Sequence, residues 1–183
     1  MVIESATDTT SVSSLSPLTL IVGGARSGKS SYAEGLIGAT GLYLATAEPG
    51  DAEMVQRIAR HRARRGAHWA TVEEPLELAP ALARHARADR PILVDCLTLW
   101  LSNLMHAGRD IEAATRGLLD ALPGLAGTVV FVANEVGLGI VPDNALARRF
   151  RDEAGRLNQT VATSCQRVVL VAAGLPLILK PGR

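Results

Sequence analysis

The sequence predicts an α/β fold built on a mostly parallel sheet with helices on both faces. Three observations carry this prediction. Short apolar, partly β-branched runs alternate with stretches of helical period along the 183 residues. The first run, Leu18-Thr19-Leu20-Ile21-Val22, leads straight into Gly23-Gly24-Ala25-Arg26-Ser27-Gly28-Lys29-Ser30, which fits G-x-x-x-x-G-K-[ST]. A stretch that can continue as a helix follows at once, so this turn has the strand before it and the helix behind it that a phosphate-binding loop requires.

The remaining elements follow in order. Ser31 to Ile37 continues the first helix, and Gly41 to Thr46 reads as a second strand. Asp51 to about Arg65 reads as a charged helix with Met54, Val55 and Ile58 on one face. His68 to Val72 is a short strand, and Pro75 to Arg87 fits a helix with proline in its first turn. Pro91 to Asp95 is a buried strand ending in an acid. Leu97 to His106 and Ile111 to Leu122 are predicted helices, Thr128 to Ala133 another strand, and Pro142 to about Thr163 a long helix. Arg167 to Ala172 and Leu177 to Leu179 close the chain as strands, and the short Gly174–Pro176 link allows an antiparallel hairpin.

Residues 1–17 stand apart. They are rich in Ser and Thr, lack Lys and Arg and have no apolar core, which argues for a flexible tail rather than a signal peptide. Residues 18–183 then form one domain, a length that suits a single core. No uncharged apolar stretch is long enough to span a bilayer, so membrane insertion is not expected. A net charge of +1 and only 3% aromatic residues give no support to a nucleic-acid partner. Cys96 and Cys165 match no metal spacing and read as buried thiols, which suits a cytoplasmic protein.

The loop supplies its own chemistry. Its glycines let backbone N–H groups approach phosphate oxygens, and the helix N-terminus adds partial positive charge. Lys29 would reach the β- and γ-phosphates, and Ser30 would hold Mg²⁺. The 19 basic residues are 17 arginines and two lysines, Lys29 and Lys180, so the loop keeps a compact ammonium in an arginine-biased chain.

In a parallel sheet, ligands lie beyond the carboxyl ends of the strands. That rule selects the polar residues that end strands: Thr46, Asp95, Asn134 and Glu135. Given the phosphate loop, Asp95 reads as a carboxylate holding Mg²⁺ opposite Ser30, with the N-cap of the helix that starts near Leu97 as the alternative. Glu135, among glycines, is either a second acid at the active edge or a solvated loop residue. Five arginines surround His61 in Arg57-Ile58-Ala59-Arg60-His61-Arg62-Ala63-Arg64-Arg65. One reading is a solvated helix face with His61 packed beside Ile58. The other is a cation cluster that neutralises a leaving pyrophosphate and keeps His61 neutral and nucleophilic toward an α-phosphate. His68, His85 and His106 have no comparable surroundings.

Taken together, GGARSGKS at 23–30, YLATAE at 43–48, DAEMVQRIARHRARRGAHW at 51–69, LVDCLTLWLSNL at 93–104, NEVGLGIVP at 134–142 and LARRFRDEAGRLNQ at 146–159 resemble one family. It is the bifunctional adenosylcobinamide kinase / adenosylcobinamide-phosphate guanylyltransferase family of cobalamin biosynthesis. The resemblance implies a RecA-like P-loop NTPase fold and a homotrimer. It also implies two reactions: phosphorylation of adenosylcobinamide by ATP or GTP, then transfer of GMP from GTP to adenosylcobinamide phosphate through a GMP–histidine intermediate. The histidine falls on His61. Nucleotide contacts fall on Gly23, Gly24, Ala25, Arg26, Ser27, Gly28, Lys29 and Ser30, on Ala45, Thr46 and Ala47, on Arg62, Ala63, Arg64 and Arg65, and on Glu73 and Asp95. The competing expectations are a single-function P-loop small-molecule kinase and a nucleotide-binding regulatory protein.

Overall fold

A computed structural model of the chain describes residues 17–47 and 68–182. The predicted 51–65 helix and nearly all of the predicted tail lie outside the described residues. The elements are β1 (Leu18–Gly23), α1 (Lys29–Ile37), β2 (Gly41–Ala45), β3 (Trp69–Glu73), α2 (Leu78–His85), β4 (Ile92–Asp95), α3 (Leu97–His106), α4 (Ile111–Ala121), a short 3-10 turn, β5 (Val129–Asn134), α5 (Ala145–Ser164), β6 (Arg167–Ala172) and β7 (Leu175–Pro181).

The seven strands form one sheet in the order β3-β2-β4-β5-β1-β6-β7. All neighbours are parallel except β6 and β7, which pair as the expected antiparallel hairpin. Burial explains the composition of the central strands. β1 is buried along its whole length and β5 except at its last residue, so both read as continuous apolar runs rather than alternating ones. Alternate residues divide between two cores. Ile21, Tyr43, Leu93, Val130, Val132, Val169 and Val171 face Ala33 and Ile37 of α1. Leu20, Leu44, Val94 and Phe131 face the other way, toward a larger core with Leu82 of α2, Trp100 and Leu104 of α3, Leu118 of α4 and Leu157 and Val161 of α5.

Two helix starts and the hairpin turn differ most from the sequence expectation, and the other boundaries shift by one or two residues at most. α2 starts at Leu78, not Pro75, so Pro80 is the first-turn proline, placed where a missing N–H leaves no helical bond unmade. α5 starts at Ala145, not Pro142, because the Asn144 side chain caps it by accepting from Ala147 N at 2.7 Å. The hairpin turns at Ala173-Gly174, with φ of 52° and 80°, rather than over 174–176. Pro176 lies inside β7 opposite Val171; an edge strand tolerates it.

Candidate active site

The phosphate loop is the connection from β1 to α1, held on both sides. Glu135 N donates to Gly23 O at 3.0 Å, and Gly174 N, in the hairpin turn, donates to Ser27 O at 2.8 Å. Two glycines are required by space and conformation. A Cβ on Gly23 would collide with Val171 O and lie 2.6 Å from Ser27 Oγ. Gly28 caps α1 in the left-handed region at φ 96°, and a Cβ there would sit 3.2 Å from Gly174 Cα. Arg26 also adopts a left-handed φ, 59°. Lys29 is buried, and its Nζ donates to Gly24 O at 3.1 Å. Ser30 lies in the first turn of α1.

Asp95 ends β4, one strand away from β1 across β5, so its Cα lies roughly 10 Å from the β1 axis at about 4.8 Å per strand spacing. It shares the parity of Leu93 and therefore the α1 face of the sheet. The Tyr43 hydroxyl donates to Asp95 Oδ2 at 2.7 Å. The N-cap alternative for Asp95 fails, because Cys96 occupies the N-cap of α3 and no side chain caps that helix.

Thr46 is fully buried just past β2. Its hydroxyl accepts from Cys96 N and donates to Cys96 O, both at 2.8 Å. It braces the ends of β2 and β4 with its one O–H already committed; a nucleotide contact here would come from the Ala45–Ala47 backbone. Asn103 of α3 adds to the brace, donating to Thr46 O at 2.7 Å and Pro75 O at 3.1 Å. Burial and the Asp95 charge push the Cys96 thiol up to about 11, so it stays protonated and takes no part as a nucleophile.

Glu73 ends β3 opposite Ala45 and is exposed at the same edge. Glu135 is tied to its own loop, its Oε1 accepting from Gly137 N at 2.7 Å. His61, Arg62, Ala63, Arg64 and Arg65 lie outside the described residues. The structure thus brings together Gly23 to Ser30, Ala45 to Ala47, Glu73 and Asp95 along one carboxyl edge. Sequence reasoning passed over Tyr43, Thr98 and Asn103 as contributors. The hydroxyl of Thr98 accepts from Asn134 N at 2.7 Å. Only the sheet order reveals such partners, since Tyr43 and Asp95 are 52 positions apart.

The donor set suits Mg²⁺. Asp95, at the end of β4, offers a carboxylate and Ser30, in the first turn of α1, a hydroxyl. Mg²⁺ is commonly held by one or two carboxylates with the phosphates of the substrate completing its shell.

A glycine-rich β1–α1 turn, a lysine folded into it and an acid one strand away define a P-loop nucleotide-binding protein of RecA-like fold. Solved structures of similar fold agree. The flagellar accessory protein FlaH of Methanocaldococcus jannaschii aligns over 91% of this chain and 79% of its own, with TM-score 0.51 and 12% identity. The P4 protein of bacteriophage phi6, in complex with ADP, aligns over 88% of this chain and 52% of its own, with TM-score 0.52 and 18% identity.

Residues 19–179 match the family described as cobinamide kinase / cobinamide phosphate guanyltransferase, and the chain belongs to it. It is 53% identical to the bifunctional adenosylcobalamin biosynthesis protein CobP of Pseudomonas aeruginosa, over 88% of this chain and 96% of that protein. It is 40% identical to the bifunctional adenosylcobalamin biosynthesis protein CobU of Salmonella typhimurium, over 88% and 98%.

Proposed function

We propose that this chain transfers two different parts of a nucleoside triphosphate to one acceptor. In the first step ATP or GTP gives its γ-phosphoryl group to the aminopropanol hydroxyl of adenosylcobinamide. In the second, GTP gives GMP to adenosylcobinamide phosphate, yielding adenosyl-GDP-cobinamide and pyrophosphate. The observation that carries this reading is the preformed phosphate loop, in a chain whose membership of the family covers residues 19–179.

Each residue has a role. Backbone N–H groups of 24–30 receive the phosphates at the start of α1. Lys29 exchanges its bond to Gly24 O for a phosphate oxygen, so its charge moves onto the transferring group without leaving the loop. Ser30 and Asp95 would hold Mg²⁺, which when bound draws negative charge from the β- and γ-phosphates. Tyr43 fixes Asp95 by holding one of its oxygens. Glu73 and the Ala45–Ala47 backbone face the nucleoside end of the edge. His61 attacks the α-phosphorus, the bond to the bridging α–β oxygen breaks and pyrophosphate leaves. Arg62, Arg64 and Arg65 offset the charge that develops on it. The phosphate of the acceptor then displaces His61 from the GMP phosphorus.

The protein works as a cytoplasmic homotrimer. Two buried free thiols suit a reducing compartment, and no helix among the described residues is long and apolar enough to cross a membrane. Leu175, Leu177, Ile178 and Leu179 leave β7 with an exposed apolar edge that a second copy would cover.

Labelling tests both steps. The wild-type protein takes up covalent, acid-labile label from α-labelled GTP, and passes γ-label to cobinamide. His61→Ala loses the first and keeps much of the second. Persistent α-label in His61→Ala removes the histidine from the mechanism.

A further inference from the structure

Between the strand that carries Asp95 and the strand that carries the phosphate loop runs β5, and β5 ends in Asn134. Asn134 is paired in register with Gly23, the first residue of the loop. Asp95 is paired with Val132, so Asn134 lies one side-chain repeat further toward the open edge. Val130 and Val132 face α1, and Asn134 shares their parity; its side chain therefore leaves the sheet on the face that bears Asp95, Lys29 and Ser30.

The backbone of Asn134 is fully held. Its N–H donates to Thr98 Oγ1 at 2.7 Å and its carbonyl accepts from Asn158 Nδ2 at 3.2 Å. The side chain is not. Asn134 Oδ1 is sealed from solvent and has no hydrogen-bond partner among the described residues. A buried acceptor left unpaired costs roughly 1–3 kcal/mol, and in a native protein such a group calls for an explanation, a role in catalysis among them. With Oδ1 unbonded among the described residues, rotation about χ2 can present either the donor or the acceptor to the edge without giving up a bond to that oxygen.

We infer that Asn134 contacts the phosphoryl acceptor: its carboxamide oxygen takes a hydrogen bond from the substrate hydroxyl and sets that oxygen in line with the terminal phosphorus. The inference rests on the proposed phosphate-loop reading and adds the residue that selects an alcohol at the open end of the triphosphate. In the step, the alcohol oxygen bonds to the γ-phosphorus, the bond to the β–γ bridging oxygen breaks and the nucleoside diphosphate leaves. The hydroxyl proton passes to a phosphate oxygen or water, since a carboxamide has no basicity to hold it. Attack at the α-phosphorus needs no alcohol there, so the two steps depend differently on this side chain.

The test replaces the carboxamide while leaving its backbone bonds. Asn134→Leu lowers kcat for cobinamide phosphorylation about 100-fold, the scale of a misaligned attacking group. Labelling from α-labelled GTP and the nucleotide Kd both stay within about threefold. The melting temperature does not fall, because an unpaired buried acceptor has been removed. Asn134→Ala gives the same pattern where leucine does not fit, and Asn134→Ser, which keeps a hydroxyl, recovers part of kcat. A phosphorylation rate within threefold of wild type overturns the inference, as does a parallel loss of melting temperature and of both reactions. If the wild-type protein bound no nucleotide, the phosphate-loop reading itself would fall and this inference with it. A wild-type protein that binds nucleotide beside an unaffected Asn134→Leu removes this inference alone.

Discussion

Substituting alanine at Gly23 puts a methyl group where β6 already stands. The added Cβ would meet the Val171 carbonyl, which is backbone within β6 and cannot turn aside, and would come 2.6 Å from Ser27 Oγ. Restoring ordinary contact requires the loop to move by about 1 Å, and overpacking of this kind costs about 1–3 kcal/mol. At a urea slope of about 2 kcal/mol/M, a loss of 2 kcal/mol lowers the midpoint by about 1 M. The same displacement carries the loop N–H groups off the phosphate oxygens, and an error of this size costs about 100-fold in phosphoryl transfer. Gly24→Ala is the internal control. No atom lies within 4 Å of its added Cβ, and Gly24 is not among the glycines with positive φ. Its stability stays within about 0.5 kcal/mol of wild type. Urea unfolding of the two variants alongside wild type is the assay. A Gly23→Ala midpoint equal to that of Gly24→Ala refutes the reasoning, because the two sites would then be equally roomy.

Two further outcomes follow from the buried edge. Thr46→Val keeps the side-chain shape but leaves Cys96 N without its acceptor, while Cys96 O keeps the N–H of Trp100, so the cost is about 1–3 kcal/mol; an unchanged thermal midpoint contradicts the bracing role. Burial pushes Cys96 up to about 11 and Cys165 up to about 12 from an ordinary value of 9.0. Both are therefore raised in the fold, and the stability this protonation gives is present below pH 9 and lost as pH rises toward 11–12. Native protein at pH 8 resists iodoacetamide, and urea midpoints decline above pH 9; rapid alkylation of either thiol at pH 8 contradicts the burial.

Much of the fold was legible because its signals are local. The run 18–22 and the glycines after it fix a strand and a turn without reference to the rest of the chain, and the α3 boundaries follow from one apolar stretch. The misplaced starts of α2 and α5 share a cause. Prolines at 75 and 142 look like first-turn residues, but Asn144 caps α5, and Pro80 takes the first turn of α2. Asp95 was legible as a strand-end acid. Its partner Tyr43 was not, because their contact depends on β2 lying beside β4, which no periodicity announces. Thr46 illustrates the reverse. Its position at the edge was visible, but its commitment to Cys96 shows only when the two strand ends are placed side by side.

A crystal structure of the protein with a non-hydrolysable GTP analogue and excess Mg²⁺ tests most directly whether a triphosphate is gripped where β1 passes into α1. The expected density places the β- and γ-phosphates against the backbone N–H groups of 24–30, with Lys29 Nζ moved from Gly24 O to a phosphate oxygen and Asp95 on the metal side. Nucleotide bound elsewhere on the molecule, or a loop that stays empty at saturating analogue, contradicts it.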